Sequence, residues 1–200
     1  MSLEKITQEI LSCKKCLLYK SRQEAVPGEG NKKAEILFVG EAPGADEDRI
    51  GRPFVGNAGQ FLSEMMRSIG FSRDKVYITN IVKCRPPGNR DPLPSEIKAC
   101  IPYLKEQIKI IKPKLIVLLG RHALEIFLPG KKISSAHGQA FKYKGQVYYP
   151  LYHPAAALHQ PGLKGIIKDD FKKIPAVLKK IDQIKEEKKE EKKPKQSKLI

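Results

Sequence analysis

The chain has 200 residues, 40% hydrophobic and 30% charged, enough for one globular domain with a buried core and too few for two large ones. Its 38 Lys and Arg against 22 Asp and Glu leave a formal net charge of +16, so the expected partner carries negative charge. No run approaches the about eighteen apolar residues of a membrane span, and Met1–Ile10 lacks the pattern of a signal peptide, so a soluble, cytoplasmic protein with no membrane partner is expected.

In chain order, a close pair Cys13-x2-Cys16 comes first, followed by the apolar run Glu35-Ile-Leu-Phe-Val-Gly40, which reads as a buried strand. The loop after it, Gly40-Glu-Ala-Pro-Gly44, has neither the dinucleotide-binding glycine spacing nor the Gly-Lys-Ser/Thr of a phosphate loop. Glu41 is poorly placed to meet phosphate and points instead to water or an N–H group. Glu47 and Asp48 read as further polar lining or as solvated loop charges. Gly51-Arg-Pro-Phe-Val-Gly56 holds Phe54 outside any periodic segment, where the ring can stack on a flat ligand or cap the core. Asn57 is the expected cap of a helix carrying Phe61, Leu62, Met65, Met66 and Ile69 on one face.

A second strand, Val76–Asn80, ends on a residue whose amide offers both a donor and an acceptor, the pattern that matches a nucleobase edge; a simple turn is the other reading. Cys84 and Cys100 flank Pro86-Pro87. Ser95 is the expected cap of a helix with Ile97, Ile101, Leu104 and Ile108 inward, stopped by Pro113. A third strand, Leu115–Gly120, leads into a helix from Arg121 to before Pro129-Gly130, and a fourth, Gln146–Pro150, into Tyr152-His153-Pro154. His153 suits a general acid, a metal ligand or a satisfied core imidazole. The last helix runs from about Gly165 past Pro175 into a Lys/Glu-rich tail, residues 181–200. From Lys179 onward nine Lys oppose five acids, so +12 of the charge lies upstream and the folded part, residues 1–180, is itself basic.

Strands alternating with helices predict a mainly parallel sheet covered on both faces, with ligands bound beyond the carboxyl ends of the strands. The loops at Gly40–Gly44, Thr79-Asn80 and Tyr152–Pro154 all fall on that edge. Four cysteines in a reducing compartment are ligands or bystanders rather than disulfides. One tight pair and two distant singles leave three readings open: a thiolate-held iron–sulfur cluster, a zinc site, or buried small residues.

Taken together, Gly40-Glu-Ala-Pro-Gly44, Gly51-Arg-Pro-Phe-Val-Gly56-x-Ala-Gly59, Thr79-Asn-Ile-Val-Lys-Cys-Arg-Pro-Pro-Gly-Asn-Arg90, Tyr152-His-Pro-Ala-Ala156 and the four cysteines resemble the thermostable iron–sulfur (family 4) uracil-DNA glycosylases, from about Cys13 to Phe171. The resemblance implies an α/β/α sandwich with a four-stranded, mainly parallel sheet, a [4Fe-4S] cluster on Cys13, Cys16, Cys84 and Cys100, and removal of uracil from single- or double-stranded DNA by a nucleoid-associated monomer. It implies catalytic roles for Glu41, His153 and Glu47, and a base pocket from Gly40, Ala42, Phe54 and Asn80. Lys83, Arg85, Arg90 and Lys164 are expected phosphate contacts, and Leu158 the wedge that enters the duplex. The chain departs from the family at His137, where an Arg is expected before Gly138, at Leu151 in place of a Thr, and near His159. Ala42 stands where related families place a water-activating Asp. Gln196–Ile200 faintly resembles a sliding-clamp-binding peptide without its aromatics. Lys/Glu enrichment and only four Asn suit a heat-loving source.

Overall fold

The computed structural model describes residues 2–191; the segment Gln196–Ile200, with its resemblance to a clamp-binding peptide, lies outside the described residues. The order of elements is α1 (Leu3–Leu11), β1 (Glu29–Gly30), β2 (Ile36–Gly40), α2 (Ala45–Ile50), α3 (Asn57–Ser68), β3 (Tyr77–Asn80), α4 (Pro94–Ile111), β4 (Leu115–Leu119), α5 (Arg121–Phe127), α6 (Ile133–Ala136), β5 (Phe141–Tyr143), β6 (Gln146–Leu151), α7 (Pro154–His159) and α8 (Leu163–Glu191).

Strands β2 and β4 are buried along their whole length, and their side chains alternate between two cores. Leu37, Val39, Ile116 and Leu118 pack with Ile6 and Ile10 of α1, Tyr103 and Leu104 of α4, and Leu124 of α5. Ile36, Phe38, Leu115, Val117 and Leu119 pack with Leu62 and Met66 of α3, Ala157 of α7, and Ile167 and Phe171 of α8. A sheet apolar on both faces needs helices on both, and the expected α/β/α sandwich is what forms.

The sheet order is β1-β3-β2-β4-β6-β5. Its four central strands are parallel, as expected, but two antiparallel edge strands enlarge it to six. Both edges are short: β1 is two residues, and β5 is three residues joined to β6 through Lys144-Gly145, both at positive φ, in a tight hairpin. Two expected caps shift. Gly56, not Asn57, precedes the first turn of α3. Leu93 precedes α4, its N–H satisfied by the Glu96 carboxylate at 2.8 Å, and Ser95 lies inside the first turn. The parallel register pairs Gly40 with Asn80 and Leu119 with Leu151, so the chain leaves each central strand on one edge.

Candidate active site and cysteine cavity

That edge carries a pocket of about 320 Å³ whose walls include Glu41, Ala42, Phe54, Asn80, Asp91 and His153. Gly40 lies beneath it. A Cβ there would collide with both Asn80 Oδ1 and Phe54 Cζ, so only glycine lets the amide and the ring approach across β2. Asn80 is buried, and its Oδ1 has no hydrogen-bond partner among the described residues. An unpaired buried acceptor costs about 1–3 kcal/mol, which a donor entering the pocket would recover.

Phe54 is buried in left-handed backbone, φ 52°, a conformation unfavourable for an aromatic residue unless the surroundings impose it. Arg73 imposes it. Its guanidinium donates to the carbonyls of Phe54 at 2.9 Å and Pro53 at 2.5 Å, and is held in turn by Glu29 of β1 at 2.9 Å through Nε. Glu47 fastens the same loop from the other side, accepting from the N–H groups of Val55 (2.8 Å), Gly56 (2.9 Å) and Gly44 (3.0 Å). Both Glu47 oxygens are thus occupied by backbone, which makes its place structural within the pocket wall. Asp48 is buried, its carboxylate accepting from Gln23 N–H at 3.1 Å, and is neither lining nor solvated.

His153 precedes the first turn of α7 and its ring centroid lies 5.7 Å from that of Phe54. Its Nδ1 accepts the Ala155 N–H at 3.2 Å. A backbone N–H can only donate, so the neutral ring carries its proton on Nε2. Burial pushes the imidazole down to about 4, partly opposed by the Glu47 carboxylate, so the ring is neutral at physiological pH. Burial raises the Glu41 carboxyl; the nearby His122 opposes this and Asp91 reinforces it. His122 Nε2 lies 3.6 Å from Glu41 Oε2 and 3.3 Å from Asp91 Oδ2. Neither Asp91 nor His122 is flagged by motif, yet His122 follows the third strand by the same strand-end rule that singles out the other loops.

Of the expected phosphate contacts, Lys83 is corrected. It is 1% exposed, and its Nζ donates to Thr79 Oγ1 (2.5 Å), Asn80 O (2.8 Å) and Gln107 Oε1 (2.8 Å), so it braces the strand that carries Asn80 and cannot reach DNA. Arg85 is half-buried, with Nε on Asn89 Oδ1 at 2.8 Å. Arg90 forms a two-point pair with Glu96 at 2.9 and 2.7 Å at the pocket margin. Lys164 is exposed, and Leu158, in the last turn of the α7 helix that His153 begins, is 44% exposed. His137, where an Arg is expected, pairs its Nδ1 with the buried Asp170 at 2.6 Å.

Cys13, Cys16, Cys84 and Cys100 come together around a second, apolar cavity walled also by Ile10, Tyr19 and Tyr103, and none is in a disulfide. Arg22 Nη1 donates to Cys84 Sγ at 3.0 Å and the Lys83 N–H to Cys100 Sγ at 3.3 Å. Four cysteines lining one apolar cavity, two of their sulfurs receiving N–H donors, offer a donor set that fits a thiolate-held metal centre. Glu41, Asp91 and His122 also place one oxygen or nitrogen each within 4.8 Å of one another.

Residues 27–179 match the model of the uracil DNA glycosylase superfamily. The chain is 56% identical over 183 residues to a type-4 uracil-DNA glycosylase of Sulfurisphaera tokodaii, covering 86% of this chain and 83% of the relative. It is 47% identical over 189 residues to that of Saccharolobus solfataricus (88% and 87% covered) and 50% identical over 182 residues to that of Archaeoglobus fulgidus (86% and 92% covered).

Proposed function

Because the chain belongs to the uracil DNA glycosylase superfamily, among the type-4 enzymes, we propose that it excises uracil from DNA by hydrolysis, leaving an abasic site in an uncut strand. The observation that carries this reading is the buried, unpartnered Asn80 Oδ1 in a pocket shared with the Phe54 and His153 rings. A base reaches such a pocket only when extruded from the duplex or offered on a single strand. Phe54 then stacks on it, Asn80 Oδ1 accepts from uracil N3–H, and the amide N–H donates to the adjacent carbonyl.

As the bond between uracil N1 and C1′ of the sugar breaks, its electron pair leaves with the base. His153 Nε2–H donates to the uracil oxygen on which that charge gathers, which a neutral ring does without first losing a proton. The oxygen of a water molecule bonds to C1′, and Glu41 orients the water, accepts its proton and favours the transient sugar cation. No lysine is among the described residues that line the pocket, so a covalent amine intermediate and strand cleavage are not expected.

Cys13, Cys16, Cys84 and Cys100 would hold a [4Fe-4S] cluster. Bound there, such a centre would supply a rigid cross-link: Cys13 and Cys16 after α1, Cys84 beyond the end of β3 and Cys100 of α4 would be tied together beside the element that carries Asn80. The +12 charge upstream of Lys179 supports a DNA partner, with Lys164 and Arg85 meeting phosphate and Leu158 entering the space the base leaves.

Incubation with an oligonucleotide holding one uracil, followed by alkali, tests the activity: strand scission at that position is expected, and its absence in both single- and double-stranded substrates overturns the reading. Iron and sulfide analysis of the purified protein tests the cluster, and a colourless zinc protein overturns it.

A further inference from the structure

Behind two carboxylates of the pocket wall, Glu41 and Asp91, stands a group that the reaction scheme has not used. His122, near the start of α5, faces both carboxylates at the pocket's edge, 3.6 Å from Glu41 Oε2 and 3.3 Å from Asp91 Oδ2. Its Nε2 is buried and has no aligned hydrogen-bond partner among the described residues. Asp91 is also held from α5, by Arg121 Nη2 on Oδ2 at 2.6 Å. One helix end therefore presents an imidazole and a guanidinium to two carboxylates that would otherwise repel each other.

We propose that His122 is a positioning residue for excision, acting through Glu41, whose carboxylate it orients and keeps ionised at the pocket. The inference rests on the role given to Glu41 above. The charged and titratable groups facing this pair are Asp91 from the loop after β3, Arg121 from α5 itself and His153 from the start of α7. Asp91 pushes the Glu41 carboxyl up, while His122 and Arg121 pull it down. The imidazole 3.6 Å from Glu41 Oε2 favours the charged form of that carboxyl against the burial that raises it. When the base leaves, that charge is in place to take the proton of water. Above the range in which Glu41 titrates, the carboxylate is ionised whether or not His122 is present.

The sign of the effect follows. Replacing His122 raises the point at which Glu41 protonates and moves the acid limb of the rate profile upward. A charge at this distance typically moves a carboxyl by about one pH unit or more. The test is single-turnover uracil excision from bound oligonucleotide between pH 4.5 and 9, with H122Q, E41Q and the double variant, and thermal unfolding of each to show that it is folded. For H122Q the acid limb is expected about one unit higher, with a loss of about tenfold below it and little change at pH 8–9. H122Q added to E41Q is expected to change nothing further, since the two act in series.

An unchanged acid limb in H122Q, or an equal loss at every pH, overturns the role of His122 while leaving that of Glu41 standing if E41Q is impaired. Wild-type rates in E41Q overturn the Glu41 role itself, and the inference with it.

Discussion

Replacing Asn80 by Asp tests the base reading most directly. In the native pocket Asn80 Oδ1 is buried without a partner, and uracil N3–H is the donor that fits it. Cytosine offers a lone pair at N3 and an amino group at the next position, so acceptor faces acceptor and donor faces donor. Leaving two buried groups unsatisfied costs about 1–3 kcal/mol each, hence about 2–6 kcal/mol together, a discrimination from about 30-fold to above 10⁴-fold. An Asp at position 80 would be buried to the same degree, which favours the protonated carboxyl. A protonated carboxyl donates to cytosine N3 and accepts from its amino group, so the penalty against cytosine is relieved as that against uracil grows. Single-turnover excision from two oligonucleotides differing only in uracil or cytosine should show the ratio of rates falling at least tenfold, and further at pH 5.5 than at pH 8. A ratio that stays at its native value would show that a group other than Asn80 reads the base.

His153→Ala should lower excision about 100- to 1000-fold, or about 2.7–4 kcal/mol, with DNA affinity retained, measured by single-turnover rates and by titration. The same ring shapes stability: burial holds it at about 4 against 6.5 when exposed, so the unfolded chain takes a proton between those values and the folded one does not. Stability should therefore rise with pH from about 4 to about 6.5, by on the order of 3 kcal/mol from this residue, and His153→Gln should flatten that slope in a melting series. Arg73→Met should release the Phe54 loop and leave Glu29 short of a partner, costing about 2–4 kcal/mol in chemical unfolding and about tenfold or more in excision. Lys83→Met should destabilise the fold yet leave the salt dependence of DNA binding unchanged, whereas Lys164→Ala should reduce that slope by about one.

The parallel strands were legible because Ile36–Gly40 and Leu115–Leu119 are apolar at every position, and only a sheet covered on both faces can bury such runs. The edges were not: β1 and β5 are two and three residues long, and pairing rather than composition makes them strands. Helix α1 carried a readable signal in Leu3, Ile6 and Ile10 behind Ser2, whose hydroxyl accepts from Lys5 N–H, and sequence reading passed over it. Glu41, Asn80 and His153 were found because each stands at or just after a strand end, and Phe54 because it falls outside any periodic segment; the pocket brings the four together. Lys83 was misplaced because Ile-Val-Lys-Cys-Arg looks like a basic edge, while its burial depends on Gln107, twenty-four residues on. Arg73 and Asp91 act through contacts across the fold, for which local sequence carries no mark, whereas His122 stands just after the third strand and was open to the strand-end rule.

The arrangement also accounts for an acidic pocket in a basic protein. Phosphate attraction needs positive charge on the outer surface only, where exposed lysines such as Lys164 lie, and it decays within about 10 Å in ordinary salt. Inside the pocket the demand is opposite, since the sugar becomes cationic as the base departs. Glu47 meets little of that demand, its oxygens being engaged by three backbone N–H groups. Asp91 is shared with Arg121. Glu41 is thus the carboxylate assigned, in the proposed scheme, to the sugar and the water, and burial alone would tend to protonate it. In the proposed scheme the neutral His153 and the His122 beside Glu41 divide the work: the first would meet the anion on the base, and the second would hold the carboxylate that meets the sugar.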